Sequence, residues 1–172
     1  RGFRDDIIHK FQLGYSPETK DAFTKEALRQ GYKLEYLEKT GLTIVRDNYQ
    51  ADRFRGRVIF PIHSLAGKVI GFGGRILRSD EKMAKYLNSA ESEIYHKGRI
   101  LYGLYQARQE ISRQDRCILV EGYTDVLSFH QSGISNVVAA SGTALTTEQV
   151  RLIARFSKNL TIIFDGDPAG IK

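Results

Sequence analysis

The sequence predicts an α/β chain in two parts: a basic, mixed α+β N-terminal lobe over residues 1–115, then a parallel-sheet α/β unit over 116–172. Three features predict it. Hydrophobic spacing is helical at the start, turns to strand-like runs near residue 57, and from Arg116 onward alternates between continuous apolar strands and helices. The net charge of +6 lies entirely in the first part, which holds 21 Lys+Arg against 15 Asp+Glu, while residues 116–172 hold five of each. Acidic residues close two of the apolar runs in the second part.

Taken in order, "DAFTKEALRQG" reads as a helix with Phe23, Ala27 and Leu28 on its inner face and an end at Gly31. "KLEYLEKTG" adds a shorter helix with Leu34 and Leu37 inward. "RVIFPIHS" and "KVIGFGGRIL" are strand-like and read as a hairpin through "LAG". "KYLNSAESEIYHKGRI" has no clean period and reads as an ordered loop. "LYGLYQARQEIS" is helical, with Leu101, Leu104, Tyr105, Arg108 and Ile111 at helical spacing. "RCILVEG", "NVVAAS" and "NLTIIFD" are then strands, separated by the helices "YTDVLSFHQSG" and "TTEQVRLIARF". The last helix opens on a capping box of Thr146 and Gln149. Near-continuous apolar strands with short helical connections imply a parallel sheet covered on both faces.

Several classes are excluded or disfavoured. No apolar run approaches the ~20 residues of a membrane span, and "RGFRDDIIHK" has no signal-peptide core. The cytoplasm is the expected location. The chain begins at Arg1 and is expected to be a segment of a longer polypeptide. The single cysteine, Cys117, allows no internal disulfide and no cysteine-rich zinc site, and its apolar strand marks it as a buried thiol. His9, His63, His96 and His130 lack metal-ligand spacing, and "GFGGR" is not a dinucleotide fingerprint. Tyr86, between Lys85 and Asn88, is the aromatic residue least suited to a core.

In a parallel sheet, ligands bind beyond the carboxyl ends of the strands. Glu121 and Asp165 stand at two such ends, and Asp167 follows Asp165 across one glycine. If their strands are neighbours, these acids share one rim. Carboxylates on one rim repel one another, and a divalent cation with oxygen ligands relieves the repulsion. The ten basic residues between Arg53 and Arg99, against four acidic ones, suit a polyanion partner. Acids holding metal beside bases holding phosphate is the equipment of phosphoryl or nucleotidyl transfer. A solvated basic face and ordinary acidic turns remain the plainer readings of the same residues.

"VEGYTDV" followed by "FDGDPAG" resembles the Toprim domain shared by primases, topoisomerases and some nucleases. "DRFRGRVIFPI", "GKVIGFGGRIL", "KYLNSAES", "YHKGRILYGLYQAR" and "ASGTALTTEQ" closely resemble bacterial DnaG-type DNA primases in order and spacing, as does the opening "RGF" with "IIHKFQLGYSP". The resemblance covers essentially the whole chain. It implies an RNA-polymerase core whose second part is a truncated, Rossmann-like Toprim domain, and an enzyme that makes short RNA primers on single-stranded DNA from ribonucleoside triphosphates during replication. By resemblance Glu121 and Asp125 are catalytic, and Glu121, Asp165 and Asp167 bind Mg²⁺ or Mn²⁺. Lys85, Tyr86, Asn88 and Lys97 handle nucleotide, and Arg53, Arg55, Arg57 and Arg75 bind DNA. The family's zinc-binding domain and helicase-binding domain are expected outside this segment, which makes the replicative helicase a partner only of the longer protein and the bacterial replication fork its place of work. The segment by itself is expected to be inactive. Two rivals stand beside this reading. One is a phosphohydrolase of the haloacid dehalogenase type, although its Asp-x-Asp opens its domain and precedes Gly-Thr, where Pro168, Ala169 and Gly170 follow here. The other is a non-catalytic nucleic-acid-binding module.

Overall fold

A computed structural model of the chain describes residues 2–47, 49–77, 84–140 and 144–165. In chain order the elements are α1 (Asp5–Phe11), β1 (Gly14–Ser16), α2 (Ala22–Arg29), α3 (Leu34–Lys39), β2 (Thr43–Arg46), β3 (Tyr49–Asp52), β4 (Arg57–His63), β5 (Val69–Ile76) and β6 (Tyr86–Asn88). A 3₁₀ turn (Lys97–Arg99) follows, then α4 (Leu104–Gln114), β7 (Cys117–Val120), α5 (Tyr123–Gln131), β8 (Val137–Ala139), α6 (Thr147–Ile153) and β9 (Leu160–Ile162). They form two compact units: Arg1–Phe11 with Ile62–Val69 and His96–Lys172, and Gln12–Pro61 with Ile70–Tyr95. The units thus interleave along the chain. The 1–115 and 116–172 parts of the sequence reading do not coincide with them, because α1 and α4 fold with the parallel sheet.

The first unit is built on a parallel three-stranded sheet in the order β8-β7-β9. Ile118 pairs with Val137 on one side and with Thr161 on the other. The expected neighbour relation between the "CILV" and "LTII" strands is therefore present. Leu104, Ala107 and Ile111 of α4 pack with Cys117, Leu119, Val138 and Ile153 in the main core. Cys117 is fully buried, and burial pushes its thiol up to about 12, so it is an inert core residue. The helix expected from Leu101 begins instead at Leu104. Gly103 has φ of 80°, and a Cβ there would stand 2.8 Å from Val126 Cγ1, so the chain turns sharply before the helix can start.

A second packed group in this unit is aromatic. The Phe11 ring stacks on Tyr102 at 5.8 Å and meets His130 edge-on at 4.9 Å, and Tyr102 meets Tyr123 at 4.5 Å. His130 is 5% exposed. Its Nδ1 lies 3.1 Å from Lys10 Nζ, and an ammonium can only donate, so Nδ1 is the acceptor and the ring is neutral. The structural role expected for His130 is what the fold gives it.

The second unit contains an antiparallel sheet in the order β1-β4-β5-β6 and a separate β2–β3 hairpin. Neither β1, the β2–β3 hairpin nor β6 was evident from periodicity. Asp52, 3% exposed at the end of β3, accepts hydrogen bonds from the backbone N–H of Phe23 (2.7 Å) and Thr24 (2.9 Å) and from Thr24 Oγ1 (2.6 Å). A carboxylate at a helix N-terminus satisfies orphan donors and complements the dipole. This attachment also sets the helix's rotation. Thr24 and Ala27 face inward, while Phe23 and Leu28, expected in the core, are 41% and 40% exposed. On α3, Leu37 is buried and Leu34 half-buried, as its spacing predicts.

Burial pushes the His130 imidazole down to about 4, with the Lys10 ammonium adding to the effect. The unfolded chain then binds a proton that the folded one excludes, from the ordinary histidine range down to about pH 4. Stability from this site is complete above about pH 6.5 and is lost as pH falls, by on the order of 3 kcal/mol at most. The thermal midpoint should therefore drop between pH 6.5 and pH 4, and His130→Leu should drop less. Identical slopes for both proteins would refute this role for the buried ring.

Candidate functional site

The acid rim lies in the first unit. β7 ends at Val120, so Glu121 emerges at its carboxyl end, and β9 delivers Asp165 at the adjacent end. Glu121 Oε1 accepts the Asp165 backbone N–H at 2.8 Å. Asp125 comes from the first turn of α5, where its Oδ2 accepts the Gly122 N–H at 3.0 Å and so caps the helix that follows Glu121. Glu121, Asp125 and Asp165 line one open pocket of about 140 Å³, floored by Val120, Phe129 and Ile163. Among the described residues no group of three or more of His, Cys, Asp and Glu is placed to hold a metal ion, and Asp167 lies outside the described residues. The donor set is one of hard oxygens, with one oxygen each of Glu121 and Asp125 engaged by backbone. That chemistry fits a hard cation that keeps most of its water.

Three of the four arginines assigned from the sequence, Arg53, Arg57 and Arg75, meet at one place in the second unit. Arg57, opening β4, is only 6% exposed. Its Nη1 donates to the carbonyl oxygens of Ala84 (2.9 Å) and Lys85 (3.4 Å). Arg75 on β5 sits opposite Tyr86 in the β5–β6 register, and its guanidinium lies 5.3 Å from the centre of that ring. Arg53 Nη2 donates to the Asn88 carbonyl at 3.2 Å. Three arginines therefore grip the Ala84–Asn88 segment at its start, its aromatic ring and its end. The arginines and the Lys85, Tyr86 and Asn88 set, assigned to separate tasks by resemblance, form one constellation. Arg55 is exposed and stands apart from it.

Arg57 and Arg75 reach the segment from opposite faces of the sheet. Gly74 pairs with Leu87 and Arg75 with Tyr86, so successive residues alternate sides. Arg57 passes over Gly74, where a Cβ would lie 3.0 Å from Arg57 Cδ and 2.7 Å from Phe54 Cδ1. The guanidinium is depressed from its ordinary range by burial, and its bonds to carbonyl oxygens offset part of that cost. Its inward position was not legible from spacing, since β4 buries residues on both faces.

Lys97 belongs to the unit that carries Glu121 and sits in the 3₁₀ turn. That turn is held from α6. Gln149 Nε2 donates to the carbonyls of Lys97 (3.3 Å) and Ile100 (2.8 Å), and Thr146 Oγ1 to that of Gly98 (2.6 Å). The capping box was legible in the sequence, but its long-range partners were not.

Comparison with known proteins gives two family matches: the N-terminal domain of the DNA primase catalytic core over residues 1–108, and a Toprim-like domain over 118–172. The chain is 44% identical to a DNA primase of Synechococcus elongatus over its full length, and covers 25% of that relative. It superimposes on the primase of Aquifex aeolicus, described with zinc-binding and RNA polymerase domains, at a TM-score of 0.91 and 41% identity, covering 99% of this chain and 42% of that one. It also matches a DnaG primase catalytic domain bound to single-stranded DNA, at a TM-score of 0.86 and 42% identity, covering 98% of this chain and 52% of that one.

The geometry around Gly74 makes a distinction among the arginines. Gly74→Ala and Arg57→Ala should each lower the stability of the protein by about 1–3 kcal/mol, and their effects should be less than additive because both act on one contact. Arg55→Ala should leave the thermal midpoint nearly unchanged. Additive losses for the first pair would separate Gly74 from Arg57.

Proposed function

Because the chain belongs to the family of bacterial DnaG-type primase catalytic cores, we propose that it is part of a DNA primase that makes RNA primers on single-stranded DNA by metal-dependent nucleotidyl transfer. It spans only about a quarter of the length of the curated primases it matches, so the activity is that of the longer protein. In this reading residues 1–115 belong to the N-terminal core lobe and 116–172 to the Toprim-like domain. The observation that carries the mechanism is the rim, where Glu121 accepts the Asp165 N–H and Asp125 lines the same pocket.

Glu121, Asp165 and Asp167 would hold Mg²⁺ or Mn²⁺, with Asp125 supporting Glu121 through the turn at Gly122. A bound cation would neutralise charge on the reacting phosphate. The chain's own residues do the rest. In the second unit Lys85, Tyr86 and Asn88 offer a cation, an aromatic face and an amide for handling ribonucleoside triphosphate, and in the first unit Lys97 offers a cation for the same task. Arg53, Arg55 and Arg75 attract the DNA backbone without reading its sequence. Arg57 contributes by holding the segment that bears Lys85 and Tyr86. The DNA-bound primase domain it resembles supports the template assignment. Ribonucleotides and a helicase, met through a domain beyond this segment, complete the proposed set of partners. The described residues contain no helix long and apolar enough to cross a membrane.

Glu121→Gln in the full-length polypeptide tests the rim. The amide oxygen can still accept the Asp165 N–H, so folding and template binding should persist while the negative charge is lost. Incorporation of labelled ribonucleotides with Mg²⁺ should fall by about 10³-fold or more. Near-normal synthesis would remove Glu121 from the chemistry.

Template affinity gives a second test. Each phosphate neutralised contributes about −0.7 to the slope of log K against log salt for a single strand. Alanine at Arg53, Arg55 or Arg75 should make that slope shallower by roughly this amount. Unchanged slopes for all three would remove these arginines from template binding.

A further inference from the structure

We propose that Gln149 is a positioning residue for nucleotide handling, acting through the turn that carries Lys97; this rests on the nucleotide-handling reading of Lys97 given above. Gln149 is fully buried, which is unusual for an amide side chain, and a buried amide must satisfy both its acceptor and its donors. It does so across 52 residues of sequence. Oε1 accepts the Thr146 N–H at 3.0 Å, which closes the capping box of α6. Nε2 donates to the carbonyls of Lys97 and Ile100 at 3.3 and 2.8 Å. One side chain therefore ties the start of a helix to the two ends of a four-residue turn.

Thr146 completes the attachment. Its Oγ1 accepts from the Gln149 N–H at 3.1 Å and donates to the Gly98 carbonyl at 2.6 Å. Gly98 lies beside Thr146, whose Cγ2 would be in ordinary contact, at 3.5 Å, with a Cβ there. Three backbone carbonyls of the turn, at 97, 98 and 100, thus accept hydrogen bonds from α6 and its cap. Within the turn itself the cross-bonds are fewer: Arg99 N–H to the His96 carbonyl at 2.9 Å and Ile100 N–H to the Lys97 carbonyl at 3.5 Å. A 3₁₀ turn of three residues has poor intrinsic stability. The bonds from α6 reinforce the backbone that carries Lys97.

A helix cap needs only the acceptor of Gln149, whereas the turn needs its donors. Gln149→Met keeps the volume but removes the donors to the turn and the acceptor of the cap together. Ile153→Val on the same helix weakens the packing of α6 and leaves the turn's hydrogen bonds in place, so it controls for the stability lost with the cap. The measurement is steady-state primer synthesis by the full-length polypeptide, with KM for ribonucleoside triphosphate, kcat and single-stranded DNA affinity determined for Gln149→Met, Ile153→Val, Lys97→Ala and the Lys97→Ala, Gln149→Met double variant.

Gln149→Met should raise KM about three- to tenfold, as expected for a lost buried hydrogen-bond pair, with DNA affinity unchanged and kcat little changed. Ile153→Val should leave KM alone. In a Lys97→Ala background, Gln149→Met should raise KM no further, because its effect passes through that residue. A KM effect for Lys97→Ala but none for Gln149→Met overturns the inference and leaves the role of Lys97 standing. Multiplicative KM effects in the double variant overturn it as well. No KM effect for Lys97→Ala sinks the nucleotide reading of Lys97, and this inference falls with it.

Discussion

The parallel pairing of β7 with β9 is the constraint on which the acid rim depends. The register from Cys117 with Leu160 to Leu119 with Ile162 leaves the two strand ends level, and so puts the Glu121 carboxylate within reach of the Asp165 N–H. A shift of one residue would move every side chain of β9 to the other face of the sheet and carry Asp165 off the rim. Burial fixes the β7 and β8 side of this arrangement, where Cys117, Leu119 and Val138 are fully enclosed, as are Val126 and Leu127 of α5. β9 departs from the expected cover on both faces: Leu160 packs against the core, while Ile162 is 53% exposed, so its pairing with β7 and the Glu121–Asp165 hydrogen bond carry the register there.

The second unit solves a comparable problem with cations. A short strand such as β6, with three residues at the sheet's edge, has little hold of its own. Arg53, Arg57 and Arg75 supply that hold through three backbone carbonyls and one aromatic face. Arg57 does so from a buried position, where an unpaired guanidinium would be costly. The cost is tolerable because carbonyl oxygens of Ala84 and Lys85 meet it. Residues that look like a uniform basic tract in the sequence therefore divide by depth: Arg57 inside, Arg53 and Arg75 half-buried against the segment, Arg55 in solvent.

What was legible in the sequence follows the same physics. β7 and β8 were plain because strands covered on both faces are continuously apolar, and the cap of α6 was plain because Thr146 and Gln149 are three residues apart. Glu121 and Asp165 were found because acids at the ends of such strands stand out. β6 was not found, since its strand character comes from pairing with β5 and not from any alternation of its own. The rotation of α2 was missed because it is set by Asp52, 28 residues from Thr24, and no local period carries that information. The capping bond of Asp125 was available from its place three residues after Gly122. The choice between a primase and a haloacid dehalogenase came from motif order and from family membership, since Asp-x-Asp after a strand serves both.

The interleaving of the two units bears on the order in which the chain can fold as it is made. Synthesis runs from the N-terminus, and domains generally fold as they emerge. By the time Tyr95 has left the ribosome, every residue of the second unit is available, with 62–69 as an excursion from it. The first unit is in the opposite position. Its helix α1, with Phe11 fully buried against Tyr102 and His130, is made well before those partners, which come some ninety to one hundred and twenty residues later. Until then the apolar face of α1, with Ile7 and Phe11, has no core to pack on. Translation past Gln131 is thus the point at which Phe11 first finds all its neighbours, and a chain stopped short of it leaves that helix exposed to chaperones or to other nascent chains.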